Sequence, residues 1–123
     1  MDKIVTANAP AAIGPYSQGM ICGNLVFTSG QIPVDPADGS IPEGITAQAE
    51  RSCRNVLAVL EQAGAKAENV VKTTCFLADM EDFAAFNAVY ARFFPGAPAR
   101  SCVAVKALPK QVLCEIEAIA QLG

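Results

Sequence analysis

The order in which apolar residues repeat constrains this chain more than any other feature. Strand-like segments cluster at the start, helical and strand patterns then alternate, and two alternating strands close the chain. Lys3-Ile4-Val5-Thr6 reads as a short strand. Gln18 to Cys22 and Leu25 to Ser29 flank Gly23-Asn24. Both of those residues tolerate positive φ, so the segment reads as a tight hairpin. Pro10 and Gly14-Pro15 break the chain within a first loop, 7–17, and a second loop, 30–44, is rich in proline, aspartate and glycine. Thr46 is a good N-cap for a helix whose one face carries Ala49, Cys53, Val56, Leu57 and Leu60, with Gly64 placed to stop it. Val70 to Leu77, rich in β-branched residues, predicts a strand. Asp79 is placed to cap a second helix. Glu81 and Asp82 fall in its first turn, where the helix dipole favours them. Phe83, Phe86, Tyr90 and Phe93 or Phe94 form its apolar stripe, and Pro95-Gly96 ends it. Strands near 100–106 and 112–120 follow. The predicted order is β-β-β-α-β-α-β-β, an α+β fold: a mixed β-sheet with two helices packed on one face. The other face also needs cover, and so short a chain has nothing left to supply it, which points to self-association.

Composition narrows the partners. The 123 residues predict a single domain, 1–123. Apolar residues make up 52% and charged ones only 17%, and in a small chain that balance again implies apolar surface covered by another subunit. The net charge of -3 is mild and the basic residues are dispersed, so nucleic acid has no electrostatic footprint here. No run approaches the roughly 18 apolar residues of a membrane helix. Met1-Asp2-Lys3-Ile4-Val5 lacks a charged segment leading into an apolar one, so no signal peptide is read and a cytoplasmic location is expected. The five cysteines, at 22, 53, 75, 102 and 114, have neither metal-ligand nor redox spacing. Positions 22, 53, 75 and 114 read as small buried hydrophobes, and disulfides are not expected.

The chain contains no histidine. That excludes a Ser-His-Asp triad, a Cys-His dyad and a histidine metal site. Gly14-Pro15 and Ser29-Gly30-Gln31 fit no phosphate-loop spacing, and Glu115 with Glu117 lacks the aspartate-rich turn of a cation site. Neither cofactor nor metal is expected. What remains is arginine, glutamate, serine, tyrosine, cysteine and backbone amides, a set that can bind a small carboxylate and orient water. Arg100 stands at the mouth of an apolar strand, either as an ordinary surface charge or as a bidentate grip on a carboxylate. Cys102 leaves the same strand face. A neighbouring cation could activate its thiol, but no general base serves it, and packing is favoured, with the local backbone as the useful group. Glu115 and Glu117 share a face with Leu113 and Ile119, and either could be a solvated charge. Desolvation would raise such a carboxyl's pKa and Arg100 would oppose the rise. Tyr16 and Ser29 close loop–strand junctions and read most simply as turn residues. Asn87 reads as an ordinary residue on a helix's polar face.

Several segments carry a resemblance when taken in order. They are Ala11-Ala12-Ile13-Gly14-Pro15-Tyr16-Ser17-Gln18, Thr28-Ser29-Gly30-Gln31-Ile32-Pro33, Val71-Lys72-Thr73-Thr74, Phe83 to Asn87 with Tyr90, Phe93-Phe94, Pro98-Ala99-Arg100-Ser101-Cys102-Val103 and Glu115-Ile116-Glu117-Ala118-Ile119-Ala120. Over essentially its whole length the chain resembles the reactive intermediate deaminase (RidA, or YjgF) family. The resemblance implies a chorismate-mutase-like fold, a homotrimer with clefts between subunits, and hydrolysis of 2-imino acids such as 2-iminobutanoate and 2-iminopropanoate to 2-oxo acids and ammonia. It implies that Arg100 binds the substrate carboxylate and that Glu115 positions water. Tyr16 and Ser29 would line the cleft, and the backbone at Cys102 would complete it. The expected partners are a small 2-imino acid and further copies of the chain, with no nucleic acid and no membrane. The competing class is a non-catalytic trimer that binds a small carboxylate or serves regulation. Glu115 separates the two, because a sensor gains little from a carboxylate beside an anionic ligand.

Overall fold

The computed structural model describes all residues, Met1–Gly123. The strands are β1 (Asp2–Ile4), β2 (Gly19–Cys22), β3 (Leu25–Thr28), β4 (Val70–Leu77), β5 (Ala99–Ala104) and β6 (Cys114–Gln121). The helices are α1 (Ile45–Gln62), between β3 and β4, and α2 (Phe83–Phe93), between β4 and β5. This is the predicted order. The strands form one six-stranded sheet, β1-β2-β3-β6-β4-β5. Every neighbouring pair is antiparallel except β4–β5, so the sheet is mixed. Parallel neighbours cannot be joined by a tight turn, and α2 supplies the crossover between them.

The last strand holds the sheet's centre because of its alternation. Cys114, Ile116, Ala118 and Ala120 are buried, and they join one apolar core with Cys53, Val56, Val59 and Leu60 of α1, Cys75 and Leu77 of β4, and Phe86, Val89 and Tyr90 of α2. Both helices cover the same face. On the opposite face Phe27 is paired with Ile119 and Val103 with Phe76, and Phe27 and Val103 remain 38% and 45% exposed. No helix covers that face. No helix is long and apolar enough to cross a membrane.

Some expected details change. The α1 N-cap is Gly44, not Thr46, which lies exposed in the first turn. The Gln48 side chain secures this end instead, donating to the Pro42 carbonyl at 3.0 Å and accepting the Leu113 N–H at 2.8 Å. Asp79 accepts the Glu81 N–H at 2.9 Å, so it caps a short 3-10 turn, Met80–Asp82, that runs straight into α2. Of the two candidate phenylalanines, Phe94 is buried, while Phe93 is half-buried beneath the guanidinium groups of Arg54 and Arg92. Cys22 is exposed rather than buried, because β2 ends there at the hairpin turn. Cys53, Cys75 and Cys114 are buried, Cys102 is half-buried, and all five thiols are free.

Two buried amides fix the loops. Gln18 Nε2 donates to the carbonyls of Thr6, Ala9 and Pro10, and its Oε1 accepts the Thr6 N–H at 2.7 Å, which ties down the first loop. Asn55 Nδ2 donates to the carbonyls of Ile32 and Val34 at 3.0 and 2.9 Å, which binds the second loop to α1. Backbone groups in loops need partners once water is excluded, and these amides provide them.

Candidate functional site

Arg100 lies on the edge strand β5, in register with Thr73 of β4. Thr73 is fully buried against α2, so Arg100 also projects to the helical face. There its Nη1 donates to Asn87 Oδ1 at 2.7 Å. The guanidinium carbon sits 4.7 Å from the Tyr90 ring centre and 5.5 Å from that of Phe83. No carboxylate pairs with it; the chain's ion pairs are Glu50 with Arg54 and Glu50 with Arg92. Asn87 is therefore not an ordinary polar-face residue. Its sequence signal was its place on α2 four residues after Phe83 and three before Tyr90, which puts the three side chains on neighbouring ridges of one helix.

Cys102, two residues on, also faces the helices, in register with Cys75. Its thiol pKa is raised by burial, and the opposing pull of Arg100 does not overcome that. A protonated thiol is a poor nucleophile, in keeping with packing rather than chemistry at this side chain.

Glu115 is in register with Phe76, three residues beyond Thr73 on β4, and so projects from the opposite face. Its carboxylate lies against Gly30, where even a Cβ would overlap it. Burial raises its pKa, and the charge of Glu117 on the same face raises it further. Arg100 exerts no opposing pull, because the sheet separates the two. The Gln31 segment is held beside β6 by reciprocal backbone bonds with Ile116, Gln31 N–H to the Ile116 carbonyl at 2.8 Å and Ile116 N–H to the Gln31 carbonyl at 3.2 Å.

Gly30 also lines a cleft of about 580 Å³ shared with Pro10, Ile13, Tyr16, Ile32 and Lys110. Tyr16 is half exposed there. Ser29 does not offer its proton to the cleft: its Oγ donates to the Ser17 carbonyl at 2.5 Å, and its N–H donates to the Gln18 carbonyl at 2.9 Å. Ser29 thus holds the Tyr16–Ser17 turn in place. The five predicted positions fall into two groups. Tyr16, Ser29 and Glu115 gather around Gly30, and Arg100 and Cys102 gather under α2. Within one chain the groups do not meet.

The fold and these two groups of residues define a small α+β protein with an arginine that has no carboxylate partner on one sheet face and a desolvated acid on the other. The profile described as Endoribonuclease L-PSP matches residues 6–122. The chain is 59% identical to a RutC family protein of Haemophilus influenzae, over 98% of this chain and 97% of that protein. It is 56% identical to the 2-iminobutanoate/2-iminopropanoate deaminase of Salmonella typhimurium, over 95% and 94%. The crystal structure of E. coli TdcF with bound serine matches with a TM-score of 0.97 at 48% identity, covering 100% of both chains. The chain belongs to the endoribonuclease L-PSP family, the RidA/YjgF proteins.

Proposed function

We propose that the chain is a 2-iminobutanoate/2-iminopropanoate deaminase, hydrolysing 2-imino acids to 2-oxo acids and ammonia in clefts between the copies of a homotrimer. One observation carries this reading. Arg100 is hydrogen-bonded to Asn87 and Glu115 lies against Gly30, yet neither has a partner of opposite charge. The names and similarity of the relatives support the chemistry, and the bare sheet face supports the assembly. Because the two groups project from opposite faces, one site draws Arg100 from one copy and Glu115 from another.

An imine of a 2-amino acid carries its carboxylate next to the C=N carbon. Arg100 grips that carboxylate with paired N–H groups and so fixes the reacting carbon. Tyr16 lines the cleft wall, Ser29 holds that wall in place, and the backbone at Cys102 completes the substrate's seat. The imine reacts in its protonated form: Glu115 accepts a proton from water as the water oxygen bonds to the carbon, the C=N π pair moves onto nitrogen, and a neutral tetrahedral aminoalcohol results. The C–N bond then breaks. Its electron pair leaves with nitrogen, which takes a proton from Glu115, and the hydroxyl proton is lost to water as the C=O forms. A carboxyl whose pKa is raised by burial holds that proton closer to neutral pH, as the second step needs. Imines already hydrolyse in water, and each tenfold of acceleration requires only about 1.4 kcal/mol from the barrier. We place this activity in the cytoplasm, as a form of metabolite damage control.

The test is ammonia release from imines generated by a coupled amino-acid dehydratase. Arg100→Ala and Glu115→Gln, each folded and assembled like the parent, lose at least about 100-fold in kcat/KM. Arg100→Lys also fails, since one ammonium cannot reproduce the fork. Parental rates in either of the first two variants refute that residue's role. Tight binding of 2-oxobutanoate without turnover by the parent marks a carboxylate sensor instead.

A further inference from the structure

An arginine in an ion pair is neutralised by a carboxylate that also occupies its hydrogen-bonding edge. Arg100 is held differently. Aromatic rings attract a cation through their faces and offer no in-plane acceptor, so the donors on its edge stay free. The one edge donor that is used goes to a neutral amide, Asn87 Oδ1. The full positive charge and the remaining fork are kept for a ligand.

The nearer ring is itself fixed. Tyr90 is buried between Phe86 and Phe94, with ring centres 6.0 and 4.7 Å away. Its hydroxyl shares a 2.7 Å hydrogen bond with Thr73 Oγ1, whose residue is in register with Arg100 on the adjoining strand. The chain thus runs a continuous line of contacts from the guanidinium through the Tyr90 ring to the strand beside it. Phe83, half-buried at the start of α2, adds the second ring.

We propose that Tyr90 and Phe83 are positioning residues for Arg100, and that the Thr73–Tyr90 hydrogen bond sets the ring on which the guanidinium lies. The inference rests on the reading that Arg100 binds a carboxylate. The role of the pair is to hold a bare cation at a fixed angle; neither residue touches the reacting atoms.

Titrations followed by NMR, with 2-oxobutanoate and its neutral analogue 2-oxobutanamide, test this on the assembled protein. A loosened guanidinium weakens the carboxylate and spares the amide, whereas general loosening of the cleft weakens both. Tyr90→Leu and Phe83→Leu each lower 2-oxobutanoate affinity about tenfold and leave 2-oxobutanamide within about twofold. Tyr90→Phe keeps the ring but loses the Thr73 bond, and falls between the parent and Tyr90→Leu. Equal losses for both ligands, or parental carboxylate affinity in both leucine variants, overturn the proposal. If Tyr90→Leu does not fold, Phe83→Leu, at the less buried position, decides. Arg100→Ala separates this inference from the one beneath it. Loss of 2-oxobutanoate binding there, with parental binding in the ring variants, rejects the aromatic support alone. Parental binding in Arg100→Ala rejects carboxylate capture and the support together.

Discussion

A methyl group at position 30 would occupy the space now taken by the Glu115 carboxylate. The glycine is needed there for room, not for backbone freedom, since its φ lies outside the positive range. Gly30→Ala is therefore expected to displace Glu115 while leaving the fold intact. A catalytic group misplaced by about 1 Å can cost on the order of 100-fold, so kcat/KM should fall at least tenfold with thermal stability little changed. A parental rate in the imine assay would show that Glu115 does not act from this seat. In the sequence, Ser29-Gly30-Gln31 read as a turn and as part of a segment shared with the RidA family, and nothing marked Gly30 as the seat of Glu115, because a side chain that approaches from another strand 85 residues away leaves no local mark. Asn87 escaped for the same reason. Its position on a helix's polar face was legible, but the arginine it meets lies on a strand that the helix reaches only after folding. The absence of histidine narrowed the candidates to groups such as arginine and glutamate, and only the family resemblance singled out Arg100 for the carboxylate and Glu115 rather than Glu117 for the water.

Helix ends were legible to different degrees. Gly64 follows the C-cap Ala63 with φ at +91°, and the backbone bonds Gly64 N–H to Glu61 O and Ala65 N–H to Leu60 O close a Schellman motif. A Cβ there would meet nothing within 4 Å, so only the left-handed backbone penalises a side chain. Gly64→Ala should cost about 1–2 kcal/mol in urea unfolding, with imine hydrolysis at the parental rate. Thr46→Ala, by contrast, should stay within about 0.5 kcal/mol of the parent, as an exposed first-turn residue without a capping role. A smaller effect for Gly64→Ala than for Thr46→Ala would reverse this account. Strand and helix identity came through well because alternation and 3.6-residue spacing are local properties of a chain. The N-terminal boundary of α1 did not, because its anchor is Gln48, which bonds to Leu113 across the fold.

The sheet's two faces decide the architecture of the site. Thr73 and Arg100 lie on one side and Phe76 and Glu115 on the other, so the proposed site, which uses both groups, draws on two copies. Subunits carrying Arg100→Ala and subunits carrying Glu115→Gln, each inactive alone, should regain activity when unfolded together and reassembled. Random mixing leaves roughly a quarter of the sites with both native groups, so about that fraction of the parental rate is expected. Mixed assemblies that stay inactive would place both groups in a site built by one chain.

The sequence by itself determined the element order, the α+β class, the core-facing stripes and the residues able to grip a carboxylate or move a proton, because periodicity and chemical type belong to each residue and its near neighbours. It also implied an uncovered sheet face from the shortage of chain to cover it. Only the tertiary structure decided that Arg100 and Glu115 stand on opposite faces of the sheet, that Gly30 lies against the acid, and that Asn87, Phe83 and Tyr90 contact the guanidinium. Those facts depend on which strands lie side by side and in what register, and register is set by packing across the whole sheet rather than by any segment of it.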